Sequence, residues 1–117
     1  MGNSRSQPAA SSRDAEFRAR REGILFEVRF EWDDEKEGAN LRKHGVSFAE
    51  AATALRDSLA ATVSDPDHSE MEHRFLTFGV SADGRLLVVA HTEEEDLLRI
   101  ISARLATGPE RKIYEEG

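Results

Sequence analysis

Lys43 and His44 stand side by side at the end of the stretch NLRKH, just before a glycine, and Arg74, Arg85, Arg99 and Arg104 recur singly in the apolar stretches that follow. Imidazole exchanges a proton near neutral pH. A guanidinium grips two phosphate oxygens at once. Together these groups could carry acid–base chemistry at a phosphate. Each also has a plainer use. Lysine and histidine favour the last turn of a helix, where the dipole is negative. A lone surface arginine usually forms an ion pair worth about 0–1 kcal/mol. Lys43 and His44 therefore need partners on a sheet before they amount to a site.

Other chemistries find less support. The chain contains no cysteine, which excludes disulfides, thiolate catalysis and cysteine zinc sites. Serines are present without a G-x-S-x-G elbow. The eight glycines are scattered, so no glycine-rich loop can cradle a phosphate. Asp65, Asp67, His68, Glu70 and His73 crowd one stretch and could ligate a divalent ion. Their spacing fits no zinc pattern, and with Pro66 they also read as a solvated loop. No metal or cofactor is expected. His91 alternates with Val89 and Leu87, as a packed and hydrogen-bonded strand residue would.

The chain has 117 residues, 38% of them hydrophobic and 33% charged, which allows one domain with a modest core. No apolar run approaches the roughly 18 residues that cross a bilayer, and residues 1–23 lack an apolar signal segment. A cytoplasmic protein with no membrane partner is expected. The formal net charge is −7, which argues against a nucleic-acid partner unless several arginines gather on one face.

Positioning those arginines falls to a small α+β fold. Residues 1–23 are poor in large apolar side chains and read as a flexible tail, with a short helix over 14–22 as the other option. Residues 24–117 read as a single domain. In ILFEVRFEW, 24–32, apolar residues alternate, which predicts a strand with one buried face. Asp33 or Asp34 can cap a helix, DEKEGANLRKH, that Gly45 ends. Ser47 and Glu50 form a capping box for a second helix, whose apolar stripe is Phe48, Ala51, Ala52 and Leu55. Strands are expected over 59–64, 74–81, 85–92 and 97–104 as an antiparallel meander. Thr107-Gly-Pro-Glu then opens a short C-terminal helix. The helices should pack on one face of the sheet.

Strand parity constrains the arginines. In 97–104, Arg99 shares a face with Leu97, Ile101 and Ala103, and Arg104 shares the other with Leu98, Ile100 and Ser102. Without a bulge, both cannot serve one site. Arg85, beside a turn, reads as ordinary surface.

The run FEWDDEKEGANLRKHGVSFAEAA resembles the start of BrnT toxins, with its Trp-Asp strand end, Asn-Leu-x-Lys-His-Gly and Ser-Phe-x-Glu-Ala helix. DPDHSE, Arg74-Phe75, GRLLVVAHT and the ending IISAR-x-A-T-x-x-E-R look like the same family in the same order. The resemblance covers about residues 26–116. It implies a RelE-like fold, a ribonuclease toxin of a type II toxin–antitoxin system that needs no metal, and neutralisation by a ribbon-helix-helix antitoxin, BrnA. The complex would repress its own operon, touching operator DNA only through the antitoxin. Carried over, the family's Lys-His pair falls on Lys43 and His44, and its strand arginine on Arg74. The arginine that closes Ile-Ile-Ser-x-Arg falls on Arg104, which parity then favours over Arg99. Glu110 and Arg111 match the terminal Glu-Arg, and Tyr114 sits one turn on. These last three would help bind substrate.

The chemistry so implied is transesterification. RNA brings its own nucleophile, the 2′-hydroxyl, so the protein must only position the phosphate, move protons and stabilise negative charge. Arg74 and Arg104 would hold the phosphate, His44 would be base or acid, and Lys43 would add fixed charge. The expected product is a 2′,3′-cyclic phosphate. Two rivals stand beside it: a catalytically inactive antitoxin-binding partner acting in repression, and a metal-dependent phosphoesterase built on 65–73.

Overall fold

The alternating strand predicted over 24–32 forms, and in the computed structural model it becomes the pivot of the sheet. Residues 17–21, 24–65 and 73–116 are described. The elements run β1 (Phe17–Arg21), β2 (Ile24–Glu31), α1 (Asp34–His44), α2 (Phe48–Leu55), β3 (Ala61–Ser64), β4 (Arg74–Val80), β5 (Leu86–Glu94), β6 (Leu97–Leu105) and α3 (Gly108–Glu116). The order of the six-stranded sheet is β1-β2-β6-β5-β4-β3. β2 lies parallel to β6, and every other pairing is antiparallel. The meander is as expected. The parallel pair makes the sheet mixed.

The tail reading needs correction within the described residues. Phe17–Arg21 is a strand, neither tail nor helix, and pairs with β2 from Phe17↔Val28 to Arg21↔Ile24. Apolar content gave no reason for order there. The free edge of β2 supplies one, because pairing satisfies backbone groups whatever the side chains are.

The helix ends obey local chemistry. The Asp33 carboxylate accepts from the amides of Glu35 and Lys36, and Gly45 closes α1 at φ 72°. The Ser47 hydroxyl accepts from the amide of Glu50. Only half of the expected capping box forms, because Glu50 turns away to Arg85. Glu37, one helix earlier, instead accepts from the amides of Phe48 and Ala49.

The core lies between the sheet and α1 and α2. Phe30 of β2, Trp32 just after it, Val46, Phe48 and the alanines of α2, and Leu87, Val89, Ile100 and Ala103 form one buried cluster. Gly79 lets α2 approach closely: a Cβ there would meet the Ala54 carbonyl oxygen at 2.3 Å. α3 breaks the expectation of helices on one face. It packs against β4 and meets Arg104, which lies on the face opposite the core.

Asn40 does a strand's work at the edge of β6. β2 pairs with β6 only as far as Glu31↔Arg99. Beyond that point, the Asn40 side chain accepts from the Ala103 amide at 3.1 Å and donates to the Ala103 carbonyl at 2.8 Å. It also donates to Val46 O at 2.9 Å, fixing the turn after α1.

Candidate active site

A bulge in β6 decides where the arginines point. Ala90 pairs with Ser102 but His91 pairs with Ile100, so Ile101 is an extra residue. The side-chain alternation reverses there. Ile100 and Ala103, three apart in sequence, both enter the core. The parity expected from the sequence is therefore wrong: Arg99 and Arg104 share a face, the one opposite the core. Arg74 joins them, since it pairs with Thr92, and Thr92 pairs with Arg99.

The same face holds two environments. Toward α3 it is apolar, with Phe78, Leu86 and Val88 buried. Away from α3 it opens, and Arg99 and Glu94 are exposed beside half-buried Thr92 and Ser102. Arg104 stands at the boundary, opposite Val88.

Arg104 is held by Glu110. Its Nη1 and Nη2 donate to the two carboxylate oxygens at 2.7 and 2.8 Å. Glu110 is also the third residue of a complete capping box. It accepts from the Thr107 amide at 2.9 Å, while the Thr107 hydroxyl accepts from the Glu110 amide. The Arg104 hydrogen bonds, against some desolvation, hold the Glu110 carboxyl down to about 2. Glu110 raises the Arg104 pKa further, so the cation is permanent. The pairing occupies the tip of the guanidinium. The side-on fork of Nε and Nη2 still carries protons for an oxyanion.

Arg99 pairs with Glu31 across the β2–β6 boundary, and both are exposed. Arg29 lies 3.9 Å from Asp96. Arg74 is half-buried. Strand spacings put the Cα atoms of Arg74 and Arg104 roughly 16 Å apart, two strands across and four residues along. They share a face but are not adjacent.

Lys43 and His44 lie on another element. Lys43 is exposed and His44 half-buried in the last turn of α1. The Gly45 carbonyl beside them accepts from Arg85 Nη2 at 3.0 Å, which places them toward the Arg85 end of β5, whereas Arg74 pairs with Thr92 at the far end. That separation is roughly 20 Å along the strand. Arg104 is the nearer arginine: Asn40, one turn before His44, is bonded to Ala103. The four residues do not meet at one point.

The remaining residues sort as follows. Arg111 is exposed on α3. The Tyr114 hydroxyl donates to Asp57 at 2.6 Å, tying α3 to the loop after α2. Burial pushes the Asp57 carboxyl up, and hydrogen bonds from Tyr114 and from the amides of Val80 and Leu59 outweigh it, leaving it below its ordinary value. Arg85, read as plain surface, instead makes a forked ion pair with Glu50, whose side chain is nearly buried. Its sequence signal was weak, because the partner lies 35 residues away.

His91 is packed, as its alternation suggested. It is 1% exposed, and its Nε2 shares a 2.7 Å hydrogen bond with the Thr77 hydroxyl, which in turn bonds Thr62. Phe75 stacks between His91 and exposed His73. Burial pushes the imidazole down to about 4, so it is neutral at pH 7. Residues 66–72 of the acidic metal candidate lie outside the described residues. Among those described, no group of three or more ligating side chains gathers, and no helix is long and apolar enough to cross a membrane.

The family model described as the ribonuclease toxin, BrnT, of type II toxin–antitoxin systems matches residues 32–110. Among solved structures, the chain is similar to the Brucella abortus ribonuclease toxin BrnT, at 24% identity and a TM-score of 0.48. That match covers 65% of this chain and 92% of the other. No curated protein matches. The family match spans α1, α2, most of the sheet and the Arg104–Glu110 clamp.

Proposed function

The chain belongs to the BrnT family of type II toxin–antitoxin ribonuclease toxins, and from that premise we propose that it cleaves RNA without a metal, using Arg104 at the scissile phosphate. The observation that carries this reading is the Arg104–Glu110 clamp. It fixes a permanent cation at the border of an open, arginine-bearing sheet face and leaves one guanidinium edge for phosphate.

In this mechanism the 2′-hydroxyl attacks phosphorus and the 5′-oxygen leaves, giving a 2′,3′-cyclic phosphate and a 5′-hydroxyl. Arg104 neutralises charge that grows on the non-bridging oxygens, an effect worth about 100- to 1,000-fold for one well-placed donor. His44, as base or acid, and Lys43, as fixed charge, end α1 on the core side of β6 and would have to act around its open edge beside Ala103. Arg74, on the same face but farther along, holds a neighbouring phosphate. Glu110 positions Arg104 rather than touching substrate, and Tyr114 anchors α3. Arg111 remains a candidate substrate contact from the exposed face of α3.

Membership of a type II system implies an antitoxin partner. We assign it to the BrnA-like ribbon-helix-helix class, through which alone the complex would reach operator DNA, with both partners in the cytoplasm. The test is product chemistry. RNA cut by the purified chain in EDTA should end in a 2′,3′-cyclic phosphate. A 3′-hydroxyl product that requires a divalent ion would overturn the mechanism. A folded chain that binds antitoxin yet neither cuts RNA nor arrests growth would instead be the inactive repression partner.

A further inference from the structure

The acidic net charge of −7 hides an asymmetry between the two faces of the sheet. On the face opposite the core, register and the Ile101 bulge place Arg29, Arg74, Arg99 and Arg104. The backbone register carries this face onto β1 at positions 18 and 20, both arginine in the sequence. From β2 to β6 the core face carries no arginine among the described residues, and on β1 the register gives it position 21 alone.

The open half of this face is neutralised from within. Arg99 is paired with Glu31, and Arg29 faces Asp96. Both pairs are well exposed, so each is worth little and exchanges readily. A phosphate oxygen offers the same forked geometry as a carboxylate and carries charge along a whole chain. Neighbouring rows of the sheet are spaced by roughly 5–7 Å, close to the step between phosphates of an extended strand.

We propose that Arg99 and Arg29 form a binding track for single-stranded RNA beyond the scissile phosphate, and that Glu31 competes with the RNA for Arg99. The track rests on the ribonuclease reading and extends it, since it begins where Arg104 ends. The internal carboxylates keep the face near neutral until a phosphate backbone displaces them, so an acidic protein can still engage RNA along one strip.

The experiment is fluorescence anisotropy of the full-length chain with a 2′-O-methyl oligoribonucleotide, which cannot be cut, over a series of salt concentrations. Arg99→Gln should weaken binding roughly 3- to 10-fold at low salt and lower the salt slope by about 0.7, the value for one lost phosphate contact on a single strand. Glu31→Gln should move the other way and tighten binding several-fold, which loss of structure would not do. Equal affinity and slope for Arg99→Gln, or weaker binding by Glu31→Gln with its fold intact, would overturn the track. So would absence of binding by the wild type. Cleavage of unmodified RNA by the same preparation, measured alongside, shows whether the ribonuclease reading falls with it.

Discussion

Glu110 holds Arg104 through both carboxylate oxygens while one of those oxygens also caps α3 at the Thr107 amide. One side chain thus joins helix initiation to the orientation of the proposed catalytic cation. Glu110→Ala should therefore fray α3 and release Arg104 together. The pair is partly exposed, so the stability loss should be modest, about 1–2 kcal/mol, mostly from the lost cap. Thermal unfolding measures the first effect. A fall in cleavage rate with little change in substrate affinity would report the second. Glu110→Gln should retain more of both, because an amide oxygen still accepts.

Asn40 predicts a larger effect. Its three hydrogen bonds are buried, and Asn40→Ala would leave both backbone groups of Ala103 without partners. The expected cost is about 3–5 kcal/mol, read from urea unfolding. Asn40→Asp should fail nearly as badly, because a carboxylate can accept from the Ala103 amide but cannot donate to its carbonyl or to Val46. A neutral Asn40→Ala would refute its role as a substitute strand.

Much of this architecture was written locally. Asp33 and Gly45 marked both ends of α1 correctly, and the alternation in β2 and the turn at Gly84 marked strands. The features that were missed depend on distant partners. The IISA segment is apolar on both sides and carries no sign of a bulge, since its register is set by β5. β1 owes its order to a free edge rather than to its own side chains. The Glu50–Arg85 pair and the Glu37 cap likewise join separate elements. At the site, the resemblance supplied Arg104 and Arg74, but neither it nor parity could show that Arg99 joins them.

His91 gives the protein a pH-dependent stability. Its folded-state pKa, about 4, lies below the ordinary 6.5, chiefly because burial disfavours the cation. Above pH 6.5 the group is neutral whether folded or unfolded and contributes no dependence. As pH falls from 6.5 toward 4 the unfolded chain takes a proton that the folded chain refuses, so stability is lost, up to about 3 kcal/mol. Among the described residues, the Glu93 carboxylate faces its second nitrogen at 3.8 Å and offers weak compensation. Urea unfolding at pH 7.5, 6 and 5 should show this decline. His91→Phe should flatten it, and an unchanged slope would show that another group titrates.

Gly79 tests the closeness of α2 to the sheet. Gly79→Ala would drive a Cβ into the Ala54 carbonyl, a backbone atom that cannot swing aside. A destabilisation of about 1–3 kcal/mol is expected. Because Gly79 faces the core, cleavage by the fraction that folds should be unchanged.

The most direct test of the account is cleavage of RNA in EDTA by the purified chain and its Arg104 variants, each checked for folding by circular dichroism. Arg104→Ala should lose about 100-fold or more in cleavage rate. Arg104→Lys, which keeps the charge but loses the fork, should fall between the two. A folded Arg104→Ala variant that cuts at the wild-type rate would contradict the account, because the phosphate would then be held elsewhere.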